Sequence, residues 1–208
     1  MRLGWLLGLV VSALSPAQVI DFESNGLHYK TLTKGAVTVM FAYLPPHVKD
    51  FSIVQVSISN GSPVSWTVKP EDFIYRRQDG GDLPATPAIS VVNSLLAKSS
   101  RHDVIKLVTT YENQLYGNIK MQVTNGYERR REDALAVGMP IRFKAGAAAA
   151  AIALVSTKLG SGESTDGAVF FVNGGKPIGP GIMMVHTGGE FFEFPSEGEP
   201  VRSLESRR

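Results

Sequence analysis

Residues able to do chemistry are present in this chain, but they are dispersed. The four histidines fall at positions 28, 47, 102 and 186. None shares a short element with a second histidine or a carboxylate at a spacing that would place two ligands on one metal ion. His102 precedes Asp103 at the start of a helical pattern, where Ser100 and Asp103 have the spacing of a capping box. Closing the helix start accounts for that pair better than a metal does. His47 follows Pro45-Pro46 in a turn, and His186 ends a strand-like run. Nucleophilic chemistry is equally unsupported. The chain lacks a Gly-x-Ser-x-Gly elbow, the strained turn that presents a serine to substrate.

Carboxylates occur in adjacent pairs, Glu71-Asp72 and Glu132-Asp133. Neighbours on a helix or strand diverge, so neither pair has the geometry for glycosidase-type acid–base work. Gly174-Gly175 and Gly179-Pro180-Gly181 form a glycine-rich stretch flanked by strand-like runs. No helix follows whose N-terminus would hold a phosphate, so hairpin turns explain it better than a nucleotide site. Arg129-Arg130-Arg131 is the main charge run. Glu128 before it and Glu132-Asp133 after it can pair along a helix face. Three charges are few for salt-sensitive polyanion binding. No catalytic, cofactor-binding or metal-ligating residue is assigned on these grounds, and the binding residues stay unassigned.

The N-terminus is more informative. Leu3 to Leu14 is an almost unbroken apolar run behind Arg2, closing on Ser15-Pro16-Ala17. A basic start, a short apolar segment and a small-residue cut site make a secretory signal peptide. The run falls short of the ~20 residues a membrane-spanning helix needs. The chain has no cysteine, which rules out a disulfide framework, thiolate metal ligation, thiol catalysis and lipid attachment through an N-terminal cysteine. With 43% hydrophobic and 19% charged residues in 208, it is a globular chain long enough to bury a core without staples. A net charge of +2 gives no overall field drawing it to nucleic acid.

The elements that must position any site follow from periodicity. Asp21 to Phe73 reads as strands, with Thr38 to Leu44 stopped by Pro45-Pro46. From Ser52 to Ser59, Val54, Val56 and Ile58 face one way and Gln55, Ser57 and Ser59 the other, the period of a half-buried strand. Asn60-Gly61 predicts a hairpin turn into Val64, Trp66 and Val68, with Trp66 turned into the core. Asp79-Gly80-Gly81-Asp82 ends the strand region. Thr86-Pro87 predicts a helix start with Thr86 as N-cap. Ile89, Val92, Leu95 and Leu96 continue that helix. Val104, Leu107, Val108, Tyr111 and Leu115 make a second helix ending at Gly117. Residues 118–138 fit a helix or a hairpin; propensity favours helix. Phe143 to Val155, with five alanines from Ala147, predicts a small-faced helix that turns extended near Leu154 and packs tightly on a neighbour. Ala168 to Val172, Ile182 to His186 and Phe191 to Phe194 return to strands.

The order β, then α, then β argues against a doubly wound parallel sheet, which needs alternation. It predicts an antiparallel body whose outer segments pair across the chain. Two phrases carry a resemblance. Val56-Ser57-Ile58-Ser59-Asn60-Gly61 resembles the early strand of the telokin-like, immunoglobulin-like domains of exported bacterial proteins of unknown function. Leu159-Gly160-Ser161-Gly162-Glu163, followed by Gly167-Ala168-Val169-Phe170-Phe171, resembles their L-x-x-G-E and G-x-V-F-F segment. That family does not normally carry a long helical block between these strands. The resemblance implies a two-sheet sandwich serving binding or assembly outside the cytoplasm, and it brings no catalytic residues.

The expected organisation is α+β: an antiparallel immunoglobulin-like β-sandwich with an inserted helical block. Its parts are a signal peptide over 1–17, first sandwich half over 18–83, helical insertion over 84–155, second half over 156–195 and polar tail over 196–208. The expected function is a non-enzymatic binding or assembly module of the bacterial envelope, periplasmic or secreted. Its expected partner is another envelope protein or a glycan, without nucleic acid or cofactor. The alternatives are an exported hydrolase with its site where sandwich and insertion meet, and a peripheral membrane-binding protein. The membrane reading is the less favoured.

Overall fold

The computed structural model describes residues 18–24, 26–44, 48–117, 138 and 140–195. The expected signal peptide, the polar tail, His47 and the ambiguous segment before Gly138 lie outside them.

β1 (Ile20–Ser24), β2 (Leu27–Lys34), β3 (Val37–Tyr43) and β4 (Phe51–Asn60) run as an antiparallel meander. Gly35 and Ala36 both take positive φ and turn β2 into β3, the conformation a tight hairpin requires. β4 then pairs along nearly its whole length with β9 (Ser164–Val172), from Phe51↔Val172 to Ser59↔Ser164. A second sheet has the order β11-β10-β6-β7, where β6 is Phe73–Arg77, β7 Asp82–Pro84, β10 Gly181–Thr187 and β11 Glu190–Pro195. The short strands β5 (Trp66–Val68) and β8 (Thr157–Leu159) pair separately. Every sheet thus joins chain from before the helices to chain from after them.

The five-stranded sheet is covered on both faces. On one side Val39, Phe41, Val54, Val56, Ile58 and Phe171 meet Phe73, Tyr75, Met183, Val185, Phe192 and Phe194 of the four-stranded sheet. Phe41 and Phe194 touch edge to face at 4.9 Å, a favoured aromatic geometry. On the other side Tyr29, Ala42, Phe51, Ile53 and Phe170 pack against α1 (Ala88–Lys98), α2 (Arg101–Gly117) and α3 (Ile141–Ile152). Val91, Leu95, Leu107 and the alanines Ala145, Ala148 and Ala149 supply the helical side.

The helical block enters and leaves the sheet at one edge. Thr86, just before α1, bridges Phe170 of β9; Ala153, just after α3, bridges Ala168. The Leu154 N–H donates to the Ala168 carbonyl at 2.9 Å, and its side chain enters the inter-sheet core. These contacts also cover the edge of β9 that β4 leaves free, a strand edge that would otherwise invite pairing with another chain.

Four expectations are corrected. β4 is not half-buried: all its residues but Ser59 are buried, because the helices cover the face on which polar residues alternate. Asn60-Gly61 does not fold β4 back onto β5. Both edges of β4 are already taken by β3 and β9. The Asn60 amide instead donates to the Val64 and Leu159 carbonyls, and its oxygen accepts from Ser62 N–H, so the chain is led away to β8. Val64 accordingly lies exposed and Trp66 only half-buried. Thr86 does not cap α1. Its N–H is spent on the Phe170 carbonyl at 2.7 Å, and Pro87 stands at the cap position without a side-chain bond. Asp79-Gly80-Gly81-Asp82 turns β6 into one further strand, β7, instead of ending the β region.

Two glycines test the packing in opposite ways. A Cβ at Gly167 would lie 2.6 Å from the Leu154 Cα and 2.7 Å from its N, where backbone has no room to yield. One at Gly146 would meet the Leu96 side chain at 2.7 Å, which can rotate, and alanine there gains up to about 1 kcal/mol of helix propensity. Gly167→Ala is expected to cost about 1–3 kcal/mol by overpacking, and Gly146→Ala to be near neutral. Urea midpoints of the two variants would check the contrast.

Candidate functional site

His28, His102 and His186 are all exposed, on β2, in the first turn of α2 and on β10. Among the described residues no group of three or more His, Asp or Glu is placed to hold a metal ion. Glu71 and Asp72 sit in a single 3₁₀ turn, Pro70–Asp72. Burial raises the Asp72 pKa, against the hydrogen bond from the Lys69 N–H and the nearby Thr187 hydroxyl, which lower it. Gly174, Gly175 and Gly179 form the connection between β9 and β10. It is held down by the Tyr75 hydroxyl, which donates to the Gly179 carbonyl at 2.6 Å. Arg129–Arg131 and Glu132-Asp133 lie outside the described residues.

The capping box does form. The Asp103 carboxylate accepts from the Ser100 N–H at 2.7 Å and from its hydroxyl at 2.8 Å, and Lys49 of the β3–β4 turn stands 3.3 Å away. Burial by itself would raise the Asp103 pKa. The Ser100 bonds and Lys49 outweigh it and hold the carboxyl below its usual 3.8. This one side chain therefore caps α2 and ties the helical block to the sheet.

Four buried polar groups escaped the reading of the sequence. Gln55 is 0% exposed, its amide nitrogen and oxygen both lack a partner, and its cross-strand neighbours are Ala42 and Ala168. Ser57 and Asp166, opposite one another on β4 and β9, are buried on the same face. The Tyr43 hydroxyl is also buried; that burial, and secondly the Tyr75 phenol beside it, push its pKa well above the usual value. The signal for Gln55 was its place in the strand with the most apolar neighbours, but alternation assigned it to solvent.

What the helices expose is more suggestive of function than what they cover. The Ser99 hydroxyl at the end of α1 donates to the Arg142 carbonyl at 3.3 Å, so the start of α3 meets the α1–α2 corner. At this corner Ile141 (45% exposed) and Phe143 (41%) face outward, and Ile105 (52%) is exposed about one turn into α2. The Arg142 guanidinium lies over the Phe143 ring at 4.9 Å. Lys98, Arg101 and Arg142 are exposed beside them and Lys144 half-exposed. The corner's one described acid, Asp103, is buried and already paired. The arrangement combines apolar knobs with cations that no carboxylate among the described residues neutralises, chemistry suited to binding a surface.

Two measurements probe the structural parts. Gln55→Leu removes a buried unpaired amide at nearly constant volume and is expected to raise stability by about 1–3 kcal/mol, read from the urea midpoint. A depressed carboxyl pKa gives stability that is complete above the unfolded value and lost as pH falls through the folded one. The Asp103 contribution should therefore fade below about pH 4. Asp103→Asn is expected to cost about 1 kcal/mol at neutral pH and to show a shallower acid loss than the parent. Compared with family models, with characterised proteins and with solved structures, the chain finds no match, so its function has to be argued from this surface chemistry.

Proposed function

We propose that the protein is an exported, non-enzymatic binding or assembly module of the bacterial cell envelope, built on a telokin-like, immunoglobulin-like sandwich. The single observation that carries this is the exposed corner of the helical block, where Ile141 and Phe143, with Ile105 about one turn into α2, are exposed near basic side chains that no carboxylate among the described residues pairs. Monomeric domains seldom leave several large apolar side chains together in water unless the patch meets something. The apolar start of the chain supports export, and two facing antiparallel sheets with a shared aromatic core support the sandwich. Strand order is the point of departure from immunoglobulin domains. β1 to β4 follow one another across their sheet, whereas the Greek key interleaves its strands. On this reading the sheets are a scaffold and the inserted helices are the working surface.

The hydrolase alternative places a histidine where sheet and helices meet. His28, His102 and His186 are instead on exposed faces, so among the described residues no histidine stands at that junction.

Fractionation tests the proposal. The chain expressed with its own leader is expected in the envelope fraction, and Ile141→Ser with Phe143→Ser is expected to shift it towards the soluble fraction. Both sites are exposed, so the urea midpoint should stay within about 0.5 kcal/mol of the parent. Unchanged partition of the double variant would refute the corner as the working surface.

A further inference from the structure

We propose that the occupant of this corner is an anionic lipid surface, an inference that rests on the corner being the working surface. Charge is the first argument. Residues 84–155 hold nine Lys and Arg against five Asp and Glu, while the rest of the chain from residue 18 onward is acidic on balance. Among the described residues the same bias holds: 84–117 and 140–155 hold five Lys and Arg against two Asp and Glu, and the other described residues hold eight against eleven, so positive charge is gathered on the helices. Among the described residues no carboxylate pairs with Lys98, Arg101, Arg142 or Lys144; the ion pairs there are Lys30–Asp21, Lys49–Asp103, Arg76–Asp82 and Arg77–Asp79.

The interleaving is the second argument. Along the start of α3, Ile141, Arg142, Phe143 and Lys144 alternate apolar and basic side chains, and the first three are exposed. Ile141 and Phe143 diverge around the helix axis, but side chains tilt towards a helix's N-terminus, so this helix start, presented end on, can set both at the boundary between headgroups and acyl chains while Arg142 and Lys144 reach phosphates beside them. Ile105 adds a third apolar contact from α2. A protein partner would have to offer apolar depressions already ringed by carboxylates. A bilayer of acidic phospholipid offers both at every point. Among the described residues no helix is long and apolar enough to cross a membrane, so the contact is one of lying on the surface.

The test uses the chain from residue 18 onward and sedimentation with vesicles of phosphatidylethanolamine and phosphatidylglycerol, against vesicles of phosphatidylcholine alone. Binding is expected to the acidic vesicles, to fall as salt screens the contact, and to weaken about fivefold for each charge removed in Arg142→Gln and Lys144→Gln. Phe143→Ser should weaken it as well, whereas Lys176→Gln on the β9–β10 connection should not. Equal binding to both vesicle types overturns the inference, as does parental affinity in the Arg142→Gln, Lys144→Gln double variant. Binding to soluble polyglutamate that matches vesicle binding and ignores Phe143→Ser overturns it in favour of an acidic protein. If vesicles fail while the corner still governs envelope partition, the lipid assignment falls and the corner's role stands. If partition is also indifferent to the corner, both fall.

Discussion

The pairing of β4 with β9 is the constraint on which the structure depends. β4 sees both apolar layers: Val54, Val56 and Ile58 face the second sheet, while Phe51 and Ile53 face the helices. β9 does the same with Val169 and Phe171 on one side and Ala168 and Phe170 on the other. A register slip of one residue would exchange these sets and put Gln55 and Asp166 where the aromatic core now sits. Because β9 also receives Thr86 and Ala153, the position of the helices is set by the same register. Sheet, insertion and corner are one arrangement.

Much of this was legible in the residues. The β, α, β order foretold strands from the two ends of the chain sharing sheets. Ser100 and Asp103 marked the start of α2 through a local capping pattern, and local signals survive any tertiary arrangement. What failed was of a different kind. Asn60-Gly61 carries a true turn signal, but a turn does not choose the edge its next strand will join. That choice fell to β9, a strand far along the sequence. Gln55 was misplaced for a related reason. Period-two alternation reports which residues differ in polarity, not whether a second layer later covers the polar face. The corner was invisible for a third reason. Its members come from three helices, and only the Ser99–Arg142 hydrogen bond shows that the start of α3 is brought to the α1–α2 junction.

The helical block serves two ends with two kinds of side chain. The inner face of α3 is made of alanines and Gly146, with Ile152 at its end, small enough to lie close to Leu96 and to the sheet, where dense contact substitutes for large apolar area. The outer corner of the block keeps the large side chains, Ile105, Ile141 and Phe143. Hydrophobic residues placed inside need no functional explanation; the reverse distribution, small within and large without, is what marks this helix as more than a cover.

The long chain separation between β4 and β9 also shapes how the protein reaches its native state. Joining Ser59 to Ser164 closes a loop of roughly a hundred residues, whose entropic penalty grows only with the logarithm of length. Equilibrium stability therefore tolerates the insertion, but the search for that contact is slow, as in other folds dominated by distant pairings. Until it is made, β9 has no strand to pair with, although β10 and β11 can still join β6. An unfolded chain crossing a membrane end first would expose its first four strands well before their partner arrives, and the meander β1 to β4, closed by short local turns, is the unit able to wait.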